Sequence, residues 1–125
     1  MNTDKTGIGR FFKGFVYAFE GVVSCIKTER NMRFHIGVAV LVILLMRFYG
    51  LSAAETAAVY ICIGLVISLE LVNTAVEAAV DMACKDKNSL AKKAKDCAAG
   101  AVLIAAVASV ACLLYTSPSP RDLST

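Results

Sequence analysis

Between Cys97 and Tyr115 the chain reads CAAGAVLIAAVASVACLLY, 19 residues without one formal charge. A helix of that length crosses about 30 Å of hydrocarbon, so this segment is expected to span a membrane. Thr56–Val80 is nearly as apolar, its only charges being Glu70 and Glu77. Phe34–Met46 is a shorter apolar run that becomes long enough only if Arg47, Phe48 and Tyr49 lie at the interface. A hydrophobic content of 58% and a mean hydropathy of +0.66 exceed those of ordinary globular chains, about 45 to 50% apolar. The 125 residues leave room for one domain, residues 1–115. The expectation is an all-α membrane protein with three spans, at about 34–49, 53–81 and 97–115.

Charge placement sets the orientation. Lys5, Arg10, Lys13, Lys27, Arg30 and Arg33 precede the first span, and Lys85, Lys87, Lys92, Lys93 and Lys95 lie between the second and third. By the positive-inside rule both segments face the cytoplasm, and the short loop near Gly50–Glu55 faces outward with the C-terminal end. This topology fits a multi-pass membrane protein with a cytoplasmic N-terminus. Charges dotted through Met1–Arg33 do not form a secretory signal, and no cleaved leader is expected. Within residues 10–28, Phe11, Phe15, Phe19, Val22 and Ile26 recur at helical spacing among Arg10, Lys13 and Lys27. That pattern predicts a basic amphipathic helix lying flat on the inner face. Met1–Gly9 reads as a loose terminus.

Ser52 followed by Glu55 matches a capping box for the second span, and Asn88 or Ser89 is placed to cap the helix entering the third. Residues 116–125 carry both prolines of the chain and no apolar periodicity, so a disordered tail or a stretch foreign to the native gene is expected. The five cysteines, Cys25, Cys62, Cys84, Cys97 and Cys112, have neither metal-ligand spacing nor paired histidines. They are read as small packing residues. No nucleic-acid partner is expected.

Against this apolar background Glu70, Asn73, Glu77 and Asp81 stand out. At about 100° per residue their offsets confine them to roughly an 80° arc of one helix. A carboxylate near the bilayer centre costs about 2.5 to 3.5 kcal/mol on insertion scales, so such groups face a bundle interior and mark proton, ion or substrate chemistry. Glu70 lies about 10 Å deeper than Glu77. The two acids with an amide between them are arranged like a relay, whereas Asp81 can be simply wet at the helix end. Glu29 is level with Glu77. Should the two meet, their like charges need a cation between them, and hard oxygen ligands select Mg²⁺. The plainer reading of Glu29 is an ion pair with Arg30 or Arg33. His35 and Tyr17 read first as interfacial residues. Lys92, Lys93, Lys95 and Asp96 precede the small residues Ala98, Ala99 and Gly100, which admit a close neighbour. Cations facing a carboxylate-held metal suggest a polyphosphate ligand, although no phosphate-binding glycine loop occurs.

The motif ELVNTAVEAAVD, with KTERNMRFH before it and AKDCAAGAVLI after it, resembles the small bacterial integral-membrane lipid kinases, the diacylglycerol kinase and undecaprenol kinase family. The resemblance covers about Gly7 to Leu114. It implies a homotrimer of the bacterial inner membrane that uses Mg²⁺ and ATP to phosphorylate a lipid alcohol. It also implies Glu70 as general base, Asn73 orienting it, and Glu29 and Glu77 as metal ligands. Arg10, Tyr17, Asp86, Lys87, Asn88, Lys95 and Asp96, together with the two metal ligands, match positions that contact ATP. Arg10, Arg33, Glu70 and Ala99 match positions near the lipid. The Phe34-His35 pair after Arg33 is closer to the Gram-positive branch, so undecaprenol is the expected acceptor and diacylglycerol the alternative. A second class of function, a proton-coupled transporter or channel subunit, uses Glu70 as proton carrier but leaves Glu29 and the basic loop without a task. A non-enzymatic assembly factor depends on neither ATP nor protons.

Overall fold

A computed structural model describes residues 7–116. The expected tail therefore falls almost wholly outside the described residues, as do Met1–Thr6. Four helices follow one another: α1 (Gly7–Thr28), α2 (Arg30–Met46), α3 (Ala53–Ala83) and α4 (Ser89–Thr116). Among the described residues all regular structure is helical. The helix of α1 already includes Gly7–Gly9, part of the stretch expected to be loose.

Two helices, Ala53–Ala83 and Ser89–Tyr115, are long and apolar enough to cross a membrane. The α2 helix, at 17 residues, extends about 26 Å and falls short of a full hydrocarbon crossing. Its coil continues, because the N–H groups of Arg47, Phe48 and Tyr49 bond the carbonyls three residues back, Leu44, Leu45 and Met46. Three residues of such tight winding add about 6 Å, so the run to Tyr49 approaches bilayer thickness. Phe48 is 84% exposed at that end.

Local chemistry explains each boundary. Glu29 breaks α1 from α2 by adopting an extended backbone (φ −107°, ψ 118°). The Arg33 guanidinium then reaches back to the carbonyls of Ile26 and Lys27, at 3.0 and 2.8 Å, and satisfies acceptors that the end of α1 would otherwise leave open. At the opposite end Ser52 and Glu55 form the reciprocal capping box: Glu55 N–H donates to Ser52 Oγ at 3.1 Å, and Ser52 N–H donates to Glu55 Oε1 at 2.9 Å. Asn88 caps α4 by accepting from Leu90 and Ala91 N–H at 2.8 and 3.0 Å.

The most extensive packing joins α3 to α4, with α2 along the other side of α3 and α1 touching both α2 and α3. Val59 and Val66 of α3, Val102 and Ala105 of α4, and Met32 and Ala39 of α2 form the buried apolar centre. Cys25 is the buried residue of α1, and its Sγ lies 3.4 Å from Thr74 Oγ1, joining α1 to α3. Large apolar side chains elsewhere point outward, among them Phe11, Phe15 and Phe19 on α1 and Leu103, Ile104 and Val107 on α4. A hydrocarbon surround removes the cost that water would impose on such a surface.

Candidate functional site in the α3 polar stripe and the basic loop

Burial divides the α3 stripe into steps. Glu70 and Asn73 are buried, at 2% and 6% exposure; Glu77 is half-buried and Asp81 exposed. The arc derived from helical periodicity is therefore a gradient, sealed at one end and open at the other. Glu70 Oε2 lies 3.5 Å from His35 Nε2 on α2. The Glu70 carbonyl accepts from Thr74 Oγ1 at 3.1 Å, a one-turn back-bond that also places the Thr74 hydroxyl beside Cys25. Asn73 Oδ1 is buried without a hydrogen-bond partner. A buried amide oxygen left unpaired costs about 1 to 3 kcal/mol.

The His35–Glu70 contact also fixes the register of α2 against α3. Glu29 precedes His35 by six residues and Glu77 follows Glu70 by seven. In antiparallel helices these separations, about 9 and 10 Å, set Glu29 and Glu77 at matching depth. Glu29 occupies the N-cap position of α2 without spending its side chain on a capping hydrogen bond. Among the described residues it has no ion pair with Arg30 or Arg33, the latter being engaged by α1 carbonyls. Among the described residues no group of three or more His, Cys, Asp or Glu side chains is placed to enclose a metal. Mg²⁺ does not need such a cage, since one or two carboxylates with waters and ligand phosphates suffice. The hard oxygens of Glu29 and Glu77 fit that requirement.

Where α3 hands over to α4, a cleft of about 580 Å³ has Asp86, Lys87, Asn88, Lys95 and Asp96 in its wall. All five match positions at which the family resemblance implies nucleotide contact. Cys84 shapes this turn: its Sγ donates to the Asp86 carbonyl at 3.0 Å and accepts from Asn88 Nδ2 at 3.5 Å. Lys95 Nζ lies 2.6 Å from Asp81 Oδ1, and Lys92 Nζ 2.6 Å from Asp96 Oδ2. The hydrogen bond that the Lys95 ammonium donates to Asp81 holds it above the ordinary lysine value of 10.5, with the nearby Glu77 adding to the effect. Asp96 raises Lys92 in the same way. Asp81 is thus both wet at its helix end and bonded to a neighbouring helix.

Other expected residues lie apart. Arg10 and Tyr17 are exposed on α1, outside the cleft wall, and Lys13 Nζ sits 5.7 Å above the Tyr17 ring. Arg33, expected near the lipid, is committed to closing α1. Ala99 is exposed on α4, and a methyl group added at the adjoining Gly100 would meet, beyond its own helix backbone, no atom of the described residues within 4 Å. Sequence reasoning missed the His35–Glu70 pair, the Lys95–Asp81 tie and the Cys84 turn. The one signal for the first was that His35, six residues past Glu29, falls at the depth of Glu70.

These features lie in a stretch with clear relatives. The family described as prokaryotic diacylglycerol kinase matches residues 16–116. An undecaprenol kinase of Bacillus subtilis is 42% identical over 107 residues, covering 86% of this chain and 85% of that protein. A diacylglycerol kinase of Synechocystis is 45% identical over 104 residues, covering 80% of this chain and 59% of that longer protein. A diacylglycerol kinase of Escherichia coli is 31% identical over 120 residues, 94% of this chain and 98% of that protein. Since the matched stretch holds the buried acid, its histidine neighbour and the whole basic cleft, the chain belongs to the prokaryotic diacylglycerol kinase family.

Proposed function

We propose that this chain, a lipid kinase by family, transfers the terminal phosphoryl group of ATP to undecaprenol and makes undecaprenyl phosphate. The observation that carries the reading is the sealed Glu70–Asn73 pair, at the far end of a polar stripe that opens toward the basic cleft. A lipid alcohol stays at the membrane, so its hydroxyl meets a water-borne nucleotide only where polar groups line the cytoplasmic edge of a span. In this reading α2 with its Arg47–Tyr49 extension, α3 and α4 cross the inner membrane. The α1 helix lies on the cytoplasmic face with its aromatic side against lipid.

Glu70 accepts the hydroxyl proton, and Asn73, one turn further along the same buried face, orients it. Asp86, Lys87, Asn88, Lys95 and Asp96 hold the nucleotide, with Arg10 and Tyr17 completing its contacts. Arg10, Arg33 and Ala99 border the lipid. Glu29 and Glu77 would hold Mg²⁺, which neutralises phosphate charge when bound. Arg10 and Tyr17 lie outside the cleft wall of their own chain, which favours a site completed by a neighbouring subunit, in keeping with a homotrimer.

Undecaprenol is favoured by the relative of that name, which matches nearly the whole chain. Purified protein offered undecaprenol and diacylglycerol in competition, with labelled ATP and Mg²⁺, tests the choice by chromatography of the products. Label predominantly in undecaprenyl phosphate is expected; label predominantly in phosphatidic acid would reassign the acceptor.

A further inference from the structure

His35 has no part in the scheme above, yet it is the titratable side chain nearest the buried acid. Its Nε2 stands 3.5 Å from Glu70 Oε2, and its side chain is 19% exposed against 3% for Glu70. We infer that His35 is a positioning residue for Glu70: its imidazole, against one carboxylate oxygen, holds the carboxylate in the orientation that takes the proton of the acceptor alcohol. The inference rests on the reading of Glu70 as the base.

A buried carboxylate with one polar neighbour is oriented by that neighbour, and displacement of a catalytic group by about 1 Å can cost about 100-fold in rate. The surroundings leave His35 few competitors. Phe34 stands edge-on at 5.7 Å between ring centroids, and Arg33 is turned away to the α1 carbonyls. A cavity of about 270 Å³ beside His35 is walled from α4 by Ala106, Ser109, Val110 and Leu113, none of which titrates, and from α3 by Cys62 among apolar residues. From α1, Cys25 reaches only the Thr74 hydroxyl. Glu70 is the carboxylate that the imidazole faces.

In the reaction the alcohol O–H bond breaks and its proton moves to Glu70. The freed electron pair forms the new bond to phosphorus, while the bridging P–O bond of ATP breaks with its pair remaining on ADP. A carboxylate turned away from the acceptor cannot take that proton, so the contact that holds its orientation bears on this step.

Steady-state lipid phosphorylation by the full chain, measured for wild type, His35→Gln, His35→Leu and Glu70→Gln, tests the inference, with thermal melting as a folding control. His35→Leu is expected to lower kcat about 10- to 100-fold with little change in KM for ATP. His35→Gln, which retains a polar group of similar reach, should recover most of that loss. Wild-type kcat in His35→Leu would overturn the inference, as would equal losses in His35→Gln and His35→Leu. Full activity in Glu70→Gln would remove the base itself, a failure distinguishable from that of His35 alone.

Discussion

The α3 helix carries charged groups into two different surroundings. Glu70 is buried against His35, its neighbour Asn73 keeps an unpaired oxygen, and the core closes around both. Three turns further on, Asp81 lies in the open and pairs with Lys95, while Lys92 and Asp96 pair beside them. Both regions are polar and both contain short contacts, yet their contacts mean different things. An exposed ion pair contributes little because water screens it and two flexible side chains must be held still. A sealed carboxylate has no such solvent, so its persistence in an apolar helix needs a function to offset its cost. The cleft is consequently a surface whose internal ion pairs would give way to ligand contacts at small cost. The sealed pair is a fixed geometry that a reaction can use.

That contrast can be broken or sharpened by substitution. The largest effect is expected from Glu70→Gln, which keeps the shape and removes proton acceptance: lipid phosphorylation should fall by about 100- to 10,000-fold, measured as initial rate at saturating ATP. Replacing Glu29 or Glu77 by Ala should abolish most Mg²⁺-dependent turnover, and a Mg²⁺ titration should no longer saturate in the wild-type range. Normal activity in either variant would count against both as metal ligands. A smaller change is expected from Lys95→Met in the open cleft, where KM for ATP should rise several-fold while kcat is largely kept.

The smallest effect concerns pH. The Asp81 hydrogen bond raises Lys95 above 10.5, so the stabilisation from this pair is fully present below the ordinary lysine value and is lost as pH climbs through the raised one. Thermal melting of the wild type should show no loss of this tie between about pH 6 and 9. Asp81→Asn should remove the rise and with it the extra alkaline tolerance.

The parts of this architecture that local sequence determines were legible in the sequence. The Ser52–Glu55 capping box and the Asn88 cap are short local patterns, and each forms as the pattern requires. The buried placement of Glu70 and Asn73 followed from helical periodicity within an apolar run, because a membrane leaves carboxylates no other home. Contacts between distant segments were not legible. His35 and Glu70 are 35 residues apart, and their meeting depends on the axial register of α2 and α3, which the spacing of apolar residues leaves free by a turn. Arg33 illustrates a different limit: its place near a helix start does not reveal that its guanidinium closes the preceding helix. The extended backbone at Glu29 turns the chain so that the carbonyls of Ile26 and Lys27 come within its reach. The cysteines were read as packing residues, and Cys25 fits that reading, whereas Cys84 instead organises the loop beneath the cleft.

The most direct test compares the initial rates of lipid phosphorylation by Glu70→Gln and Lys95→Met, side by side in the same bilayer mimetic with saturating Mg-ATP and lipid alcohol. The account predicts that the sealed-site variant is slower by about 100-fold or more, with the cleft variant close to wild type. Equal rates in the two variants, or a nearly normal rate in Glu70→Gln, would contradict the assignment of proton transfer to the buried acid.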